Sequence, residues 1–459
     1  MNDPNGPIFW NGQYHMFYQY NPDGAYWGNM HWGHAVSPDM VHWHHLPVAL
    51  APTPGGPDAD GCFTGTAVVK DGSVAILYTG VRAVRLSEAT IKDGNPPLRE
   101  SQCLAVAEDP ELRRWRKAPT PAIEAPPQGI EVNGFRDPSP WWQGAWWYTV
   151  LASGIAKEGG AVLLYRSRDL RQWEYVHVLS KRDAKAPGGP ETFDASEVWE
   201  CPEFFALQDR HILIFSTSGK TYWQSGKLDE TSLRFEVEQA GTVDHGSFYA
   251  AKTQLDQAGN RIIWGWIPET RPLAEYKAAG WAGMMSLPRV LSLGPDGRLR
   301  MRAPAEVSRL RGTGRTLDTG ASEERIHRQI ETMRIAACCG EMRCVVRSDA
   351  GPFSLGLGSG PTGRAPWLTI GYDPNEPSRI SIDSHPLALS GARNLEIQAH
   401  VDASVIELLI NGEIAWTKRF YPEGNTARDL RLHWNGGTAA IASLEMWQYS
   451  PISADRLTT

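Results

Sequence analysis

Turn residues punctuate this chain so densely that long helices find no room in it. Short aliphatic and aromatic runs stop at turn pairs: Pro7 to Trp10 at Asn11-Gly12, Tyr14 to Tyr20 at Asn21-Pro22, Val74 to Tyr78 at Thr79-Gly80. Alternating apolar residues on both sides of Asp71-Gly72 mark a hairpin, because Asp-Gly tolerates the positive φ angles of a two-residue turn. The 45 glycines and 33 prolines suit many such turns, and the 19 tryptophans suit strands and sugar-stacking surfaces. An all-β protein facing carbohydrate is the expectation.

A weak repeat organises the first half. Gly33-His34-Ala35-Val36-Ser37-Pro38-Asp39 leads to Trp43, Leu104-Ala105-Val106-Ala107-Glu108-Asp109 to Trp115, and Leu164-Tyr165-Arg166-Ser167-Arg168-Asp169 to Trp173. The intervals exceed those of small repeat blades but fit large four-stranded ones. Phe215 to Val237 and Tyr249 to Ile267 supply two further units, giving five blades around a shared axis, with a generic β-sandwich as the alternative on pattern alone. Past Met301 the texture changes. The expected division is a propeller over 1–301, a charged connection over 302–322, and an antiparallel β-sandwich over 323–459 built from runs such as Leu395 to His400, Val405 to Ile410 and Ala439 to Trp447.

A net charge of -7 offers no basic field for nucleic acid or anionic lipid, so a neutral small-molecule partner fits better. No apolar run reaches the roughly 18 residues of a spanning helix. The first motif begins at residue 2, which leaves room for a leader or a first strand ahead of it, and the compartment stays open. Six cysteines read mostly as buried thiols.

Three acidic residues sit in constrained settings. Asp3 lies in Asn2-Asp3-Pro4-Asn5-Gly6, where proline and a tight turn hold the carboxylate; on its own the motif reads equally as an Asx turn. Asp137 in Phe135-Arg136-Asp137-Pro138 has an adjacent cation expected to keep it ionised, and on its own reads as a surface ion pair. Glu200 in Trp199-Glu200-Cys201-Pro202 sits among apolar residues, where desolvation is expected to raise its pKa as a general acid requires; on its own it reads as a structural buried acid. Together the three are what retaining glycoside hydrolysis needs: a nucleophile, an acid/base and a fixed charge beside an oxocarbenium-like transition state.

These three motifs resemble the signatures of glycoside hydrolase family 32, the family of invertases, inulinases, levanases and fructan exohydrolases. Phe17-Tyr18-Gln19-Tyr20-Asn21-Pro22, Trp27-Gly28, Phe63-Thr64-Gly65-Thr66-Ala67, Phe248-Tyr249-Ala250, Trp264-Gly265-Trp266 and Trp281-Ala282-Gly283 extend the likeness in order along the chain. The resemblance implies a five-bladed β-propeller followed by a C-terminal β-sandwich. It implies double displacement on β-D-fructofuranosyl residues of sucrose or fructans, with Asp3 as nucleophile, Glu200 as acid/base and Asp137 as transition-state stabiliser. Asn2, Gln19, Trp27, Phe63, Thr64, Arg136, Trp281 and Asp244 would bind substrate, with no metal or organic cofactor, in a monomer or homodimer. A lysine that pairs with the acid at 244 in plant-type sucrose cleavers is replaced by Ser247, so Ser247→Lys is expected to shift preference toward sucrose.

A fructosyltransferase using the same intermediate remains open, as does, with less support, a non-catalytic fructan-binding propeller or an arabinan-cleaving relative. His31, His34, His42, His44 and His45 lack zinc-site spacing, and Cys201 has no histidine partner in its motif, so neither is taken as a reactive centre.

Overall fold

The computed structural model describes residues 1–92, 96–183, 194–358, 366–421 and 429–452. The first compact unit contains five antiparallel sheets in chain order. The first runs Pro4–Trp10, Gln13–Tyr20, His31–Ser37, His44–Leu50; the second Gly61–Lys70, Ser73–Ala83, Leu98–Ala107, Trp115–Lys117. The third runs Val132–Gln143, Trp146–Ile155, Gly159–Ser167, Trp173–Lys181; the fourth Glu200–Leu207, Arg210–Thr217, Lys220–Leu228, Phe235–Asp244. Tyr249–Leu255, Arg261–Ile267, Arg289–Leu293 and Leu299–Arg302 form the fifth, with Met284–Met285 added beside its second strand. The five leading strands pack against one another in a closed ring, the fifth returning to the first, so the sheets are the blades of a five-bladed propeller.

The anticipated turns close these blades. Asn11 (φ 50°) with Gly12 (φ 79°), and Asp71 (φ 50°) with Gly72 (φ 76°), turn the leading strand into the second. The Asp-to-Trp repeat is the corner between third and fourth strands. Asp39 accepts backbone N–H groups of Val41 and His42, Met40 takes φ 66°, and Trp43 Nε1 donates to the Met40 carbonyl at 2.9 Å. Asp109, Leu112 and Trp115 repeat this corner, as do Asp169, Leu170 and Trp173. Apolar side chains fill the space between blades: Phe17, Trp32, Ile76 and Tyr78 between the first two, and Val150, Leu164, Trp199 and Phe215 between the third and fourth. Trp199 and Phe215 stack with centroids 3.9 Å apart.

The second unit comprises the chain from Arg300 together with His245–Ser247. One six-stranded sheet orders Arg311–Thr316, Ile441–Tyr449, Cys339–Arg347, Asn394–Asp402, Val405–Ile410 and Ile414–Arg419. The other orders Arg334–Ile335, Leu430–Gly436, Phe353–Gly358, Leu368–Tyr372, Arg379–Ile382 and His385–Ala388. Ile397, Leu408, Leu355, Ile370 and Ile382, all almost fully buried, belong to one core shared by both sheets, which makes this unit a sandwich.

Two elements of this region went unread in the sequence. The stretch read as a connection contains Arg311–Thr316, an edge strand paired with Ile441–Tyr449. Its side chains are largely exposed, so it lacks the alternation that marks a half-buried strand, and backbone pairing alone defines it. Glu323–Thr332 is a ten-residue helix that buries only Ile326 and Ile330, one turn apart, a stripe too narrow to stand out from its charged surroundings. Among the described residues no helix is long and apolar enough to cross a membrane.

Candidate active site

Each leading strand carries a one-residue bulge near its start. Pairing skips a residue between Asn5 and Ile8, Cys62 and Gly65, Arg136 and Ser139, Glu200 and Glu203, and Tyr249 and Lys252. A bulge bends the strand and re-aims the side chains beside it. In four blades a residue within the bulge adopts positive φ: Gly6 (40°), Asp137 (58°), Cys201 (50°) and Ala250 (54°). Gly6 is required twice over, because a Cβ there would also lie 2.7 Å from the Ala67 nitrogen. The other three are strained non-glycine positions held by their surroundings.

The bulges gather the three carboxylates. Asp3 accepts a 2.7 Å hydrogen bond from Thr64 Oγ1 on Oδ2 and a 3.2 Å bond from Asn2 Nδ2 on Oδ1. Asp137 Oδ2 accepts the Cys201 backbone N–H at 2.9 Å. The Cys201 Sγ lies 3.7 Å from Asp3 Oδ2 and 3.6 Å from Asp137 Oδ2, so it touches both acids. Glu200, one residue earlier, accepts Arg136 Nη2 at 2.9 Å and the Tyr249 hydroxyl at 2.5 Å, one on each oxygen. Arg136 Nη1 also donates to Glu100 Oε1 at 3.0 Å, and Glu100 Oε2 accepts the Phe135 N–H at 2.6 Å. Behind Asp137, Thr79 Oγ1 accepts its backbone N–H at 2.9 Å and donates to Gln102.

Burial pushes the Asp3 carboxyl above its ordinary range; the Thr64 hydroxyl opposes that rise and the Glu200 charge adds to it. Burial likewise lifts Asp137, to about 7, with Glu200 and Asp3 pushing the same way. This corrects the expectation that Arg136 keeps Asp137 ionised: its charge acts downward but loses to desolvation, and its guanidinium hydrogen-bonds Glu100 and Glu200. Burial drives the Cys201 thiol well above its usual value, so it is a neutral packing group. Burial and the adjoining Glu200 charge raise the Tyr249 phenol, which stays protonated as a donor.

Asn2, Thr64 and Arg136 therefore touch the carboxylates directly. Gln19 is buried behind them, its Nε2 donating to the Cys62 carbonyl at 3.0 Å; with the Asn5 amide turned to satisfy its neighbours, Gln19 Nε2 also reaches Asn5 at 2.9 Å. Phe63 meets Trp27 edge-on with centroids 5.8 Å apart, and Trp27 is 68% exposed, giving an apolar wall open to a ligand. Trp281 is half-buried, with the Arg271 guanidinium 4.2 Å from its ring centre, and the Ala282 carbonyl accepts the Met1 amine at 2.9 Å, two residues before Asp3. Asp244 stands on a different strand of its blade. It ends the outermost strand of the fourth blade, is fully buried, and accepts Arg289 Nη1 at 2.8 Å. Sequence reasoning missed Glu100 and the role of Tyr249; Glu100 sits in Arg99-Glu100-Ser101-Gln102, a polar run without motif character, and its pairing with Arg136 exists only in the fold.

The model of the Glycosyl hydrolases family 32 N-terminal domain matches residues 1–303, and that of the family 32 C-terminal domain matches 306–448. The chain is 33% identical to a sucrose-6-phosphate hydrolase of Escherichia coli, over 98% of this chain and 92% of that protein. It is 34% identical to a raffinose invertase of Escherichia coli, over 97% and 92%. Fructan 1-exohydrolase IIa from Cichorium intybus superposes with a TM-score of 0.77 at 25% identity, covering 98% of this chain and 95% of that one. Both halves of the chain thus match, in order and over nearly their full length, and this protein belongs to glycoside hydrolase family 32 as a β-fructofuranosidase-like hydrolase.

Proposed function

We propose that this enzyme is a retaining exo-β-fructosidase that cleaves sucrose and releases terminal fructose from short fructans. The observation that carries the reading is the contact of Cys201 Sγ with both Asp3 and Asp137 while Glu200 precedes it in the chain, so that three carboxylates from three blades face one small volume. Asp3 is the nucleophile: it attacks C2 of the fructosyl unit as the C2–O bond to the leaving sugar breaks. Glu200 gives its proton to that leaving oxygen. Glu200 then takes a proton from water, the water oxygen bonds to C2, and the Asp3 ester is released with configuration retained. Asp137 holds fructose hydroxyls, and Asn2, Thr64, Trp27, Phe63 and Trp281 line the pocket, with Gln19 backing it. Arg136 and Tyr249 set the orientation of Glu200.

An unphosphorylated sugar is favoured because two cations at the pocket are already matched: Arg136 bonds Glu100 and Glu200, and Arg271 makes a two-pronged contact with Glu269. Sucrose is favoured by the nearly full-length likeness to a raffinose invertase. Fructose release from sucrose, inulin and levan by the native chain, Asp3→Asn and Glu200→Gln tests the reading. Release abolished by both substitutions supports it; sugar transfer in place of fructose release would reassign the protein as a transferase; no turnover of any of the three refutes it.

A further inference from the structure

Beneath the carboxylates lies a second buried polar cluster that the reaction does not consume. Lys252 has no exposed surface, and its Nζ lies 2.6 Å from Glu203 Oε1, on a side chain only 4% exposed. The same Oε1 accepts Ser139 Oγ at 2.8 Å, while Oε2 accepts the Thr253 N–H at 3.0 Å and the Thr253 hydroxyl at 2.6 Å. Three hydrogen-bond donors and the Lys252 ammonium charge therefore converge on one buried carboxylate. Burial of a charge on this scale is costly unless partners compensate it, and here they reach the fourth-blade carboxylate from the third and fifth blades.

The positions of these residues are informative. Ser139 stands two residues after Asp137 and just past the bulge that contains it, while Glu203, three after Glu200, and Lys252, three after Tyr249, each stand across a bulge from the earlier residue of the same leading strand. The bulges are the deformable points of these strands. A tie just past each bulge fixes where the bulged segment starts, and so fixes the side chains that it aims.

We propose that Glu203, Lys252 and Ser139 form a positioning clamp that holds the leading strands of the third, fourth and fifth blades in the spacing that Asp137, Glu200 and Tyr249 need for turnover. The clamp rests on the carboxylate roles proposed above. It acts through geometry and touches no substrate, so its loss is expected in kcat more than in KM, because small misplacement of reacting groups costs rate while the outer pocket still binds.

The test uses the full-length enzyme acting on sucrose. Glu203→Gln keeps the shape but strands the Lys252 charge, and kcat should fall about 10- to 100-fold with KM within about twofold. Glu203→Leu with Lys252→Met replaces the pair by apolar groups of similar size and should recover most of the lost thermal stability, since the uncompensated charge is gone. The clamp requires that kcat stay low in this double variant; recovery of kcat together with Tm would show a purely structural pair and overturn it. Ser139→Ala removes only the third-blade tie. It should leave Tm nearly unchanged and lower kcat several-fold, and an unaltered kcat overturns the clamp even where the double variant fails to fold. If Asp3→Asn and Glu200→Gln themselves remain active, the reading of the site fails instead, which separates the two outcomes.

Discussion

Thr64 offers the most direct probe of how the site sets Asp3, the proposed nucleophile. Its hydroxyl donates to Asp3 Oδ2 at 2.7 Å, and it is the largest of the contacts that oppose the upward push of burial on that carboxyl. Thr64→Val keeps the branched shape and removes only the donor. A hydrogen bond to an ionised group is worth about 1.5–3 kcal/mol, which corresponds to about a 10- to 150-fold loss in the ionisation constant of Asp3. The sign follows from which form is bonded: the hydroxyl stabilises the carboxylate, so its loss favours the protonated, non-nucleophilic acid and moves the acid limb of the kcat/KM profile to higher pH. On that limb kcat/KM should fall by about the same 10- to 150-fold, while at the plateau, where Asp3 is ionised in both forms, the change should be small. Thr64→Ser retains a donor and should leave the limb in place. The assay is the pH dependence of kcat/KM for sucrose. A loss equal at every pH, or a limb that does not move, would refute the claim that this bond acts through Asp3 ionisation.

Other perturbations follow from the same geometry. Asp137 has its pKa raised to about 7 by burial, so the folded state binds this proton more tightly than the unfolded chain and loses stability as pH rises from about 4 toward 7. Asp137→Asn should therefore raise Tm at pH 8, by the equivalent of a few kcal/mol, with no gain at pH 4; an equal Tm difference at both pH values in calorimetry would count against it. The Cys201 thiol is buried and neutral, so iodoacetamide at pH 8 should leave sucrose hydrolysis intact in the folded enzyme, and rapid inactivation traced to Cys201 would contradict that assignment. Ile330→Ala empties a buried site under the sandwich helix and should cost about 2–5 kcal/mol of unfolding free energy in that unit, measured in urea, with kcat of the native enzyme unaffected. Gly6→Ala places a Cβ against the Ala67 backbone at a positive-φ position two residues after Pro4, and should lower kcat by displacing Asp3; an unchanged rate would show that the first bulge does not aim the nucleophile.

What was legible in the sequence divides along physical lines. Hairpins at Asn11-Gly12 and Asp71-Gly72 and the corners at Asp39, Asp109 and Asp169 announce themselves because their conformations demand particular residues in immediate succession. Asp3 and Asp137 stood out because each precedes a proline that constrains its backbone, and Glu200 because it is an acid set among apolar and aromatic residues. The edge strand Arg311–Thr316 and the helix Glu323–Thr332 left little trace, since one is defined by backbone pairing and the other buries only two side chains. The ion pair of Asp244 with Arg289 was also illegible, because a motif position carries no information about which strand of a blade it will end.

The deeper gap concerns the bulges. A bulge is a difference in register between two strands, so it belongs to neither sequence alone, and only Gly6 among the positive-φ positions wears the residue type that such geometry prefers. Asp137, Cys201 and Ala250 adopt it without glycine because dense polar bonding around them, from Thr79 to Asp137 and from the Ser216 hydroxyl, which accepts the Ala250 N–H at 3.0 Å, holds the strained backbone in place. The acids that are easiest to recognise in this chain are therefore positioned by its least recognisable residues, which is why substitutions at Thr79, Ser139 and Ser216 should trade rate against backbone relaxation without touching a single catalytic atom.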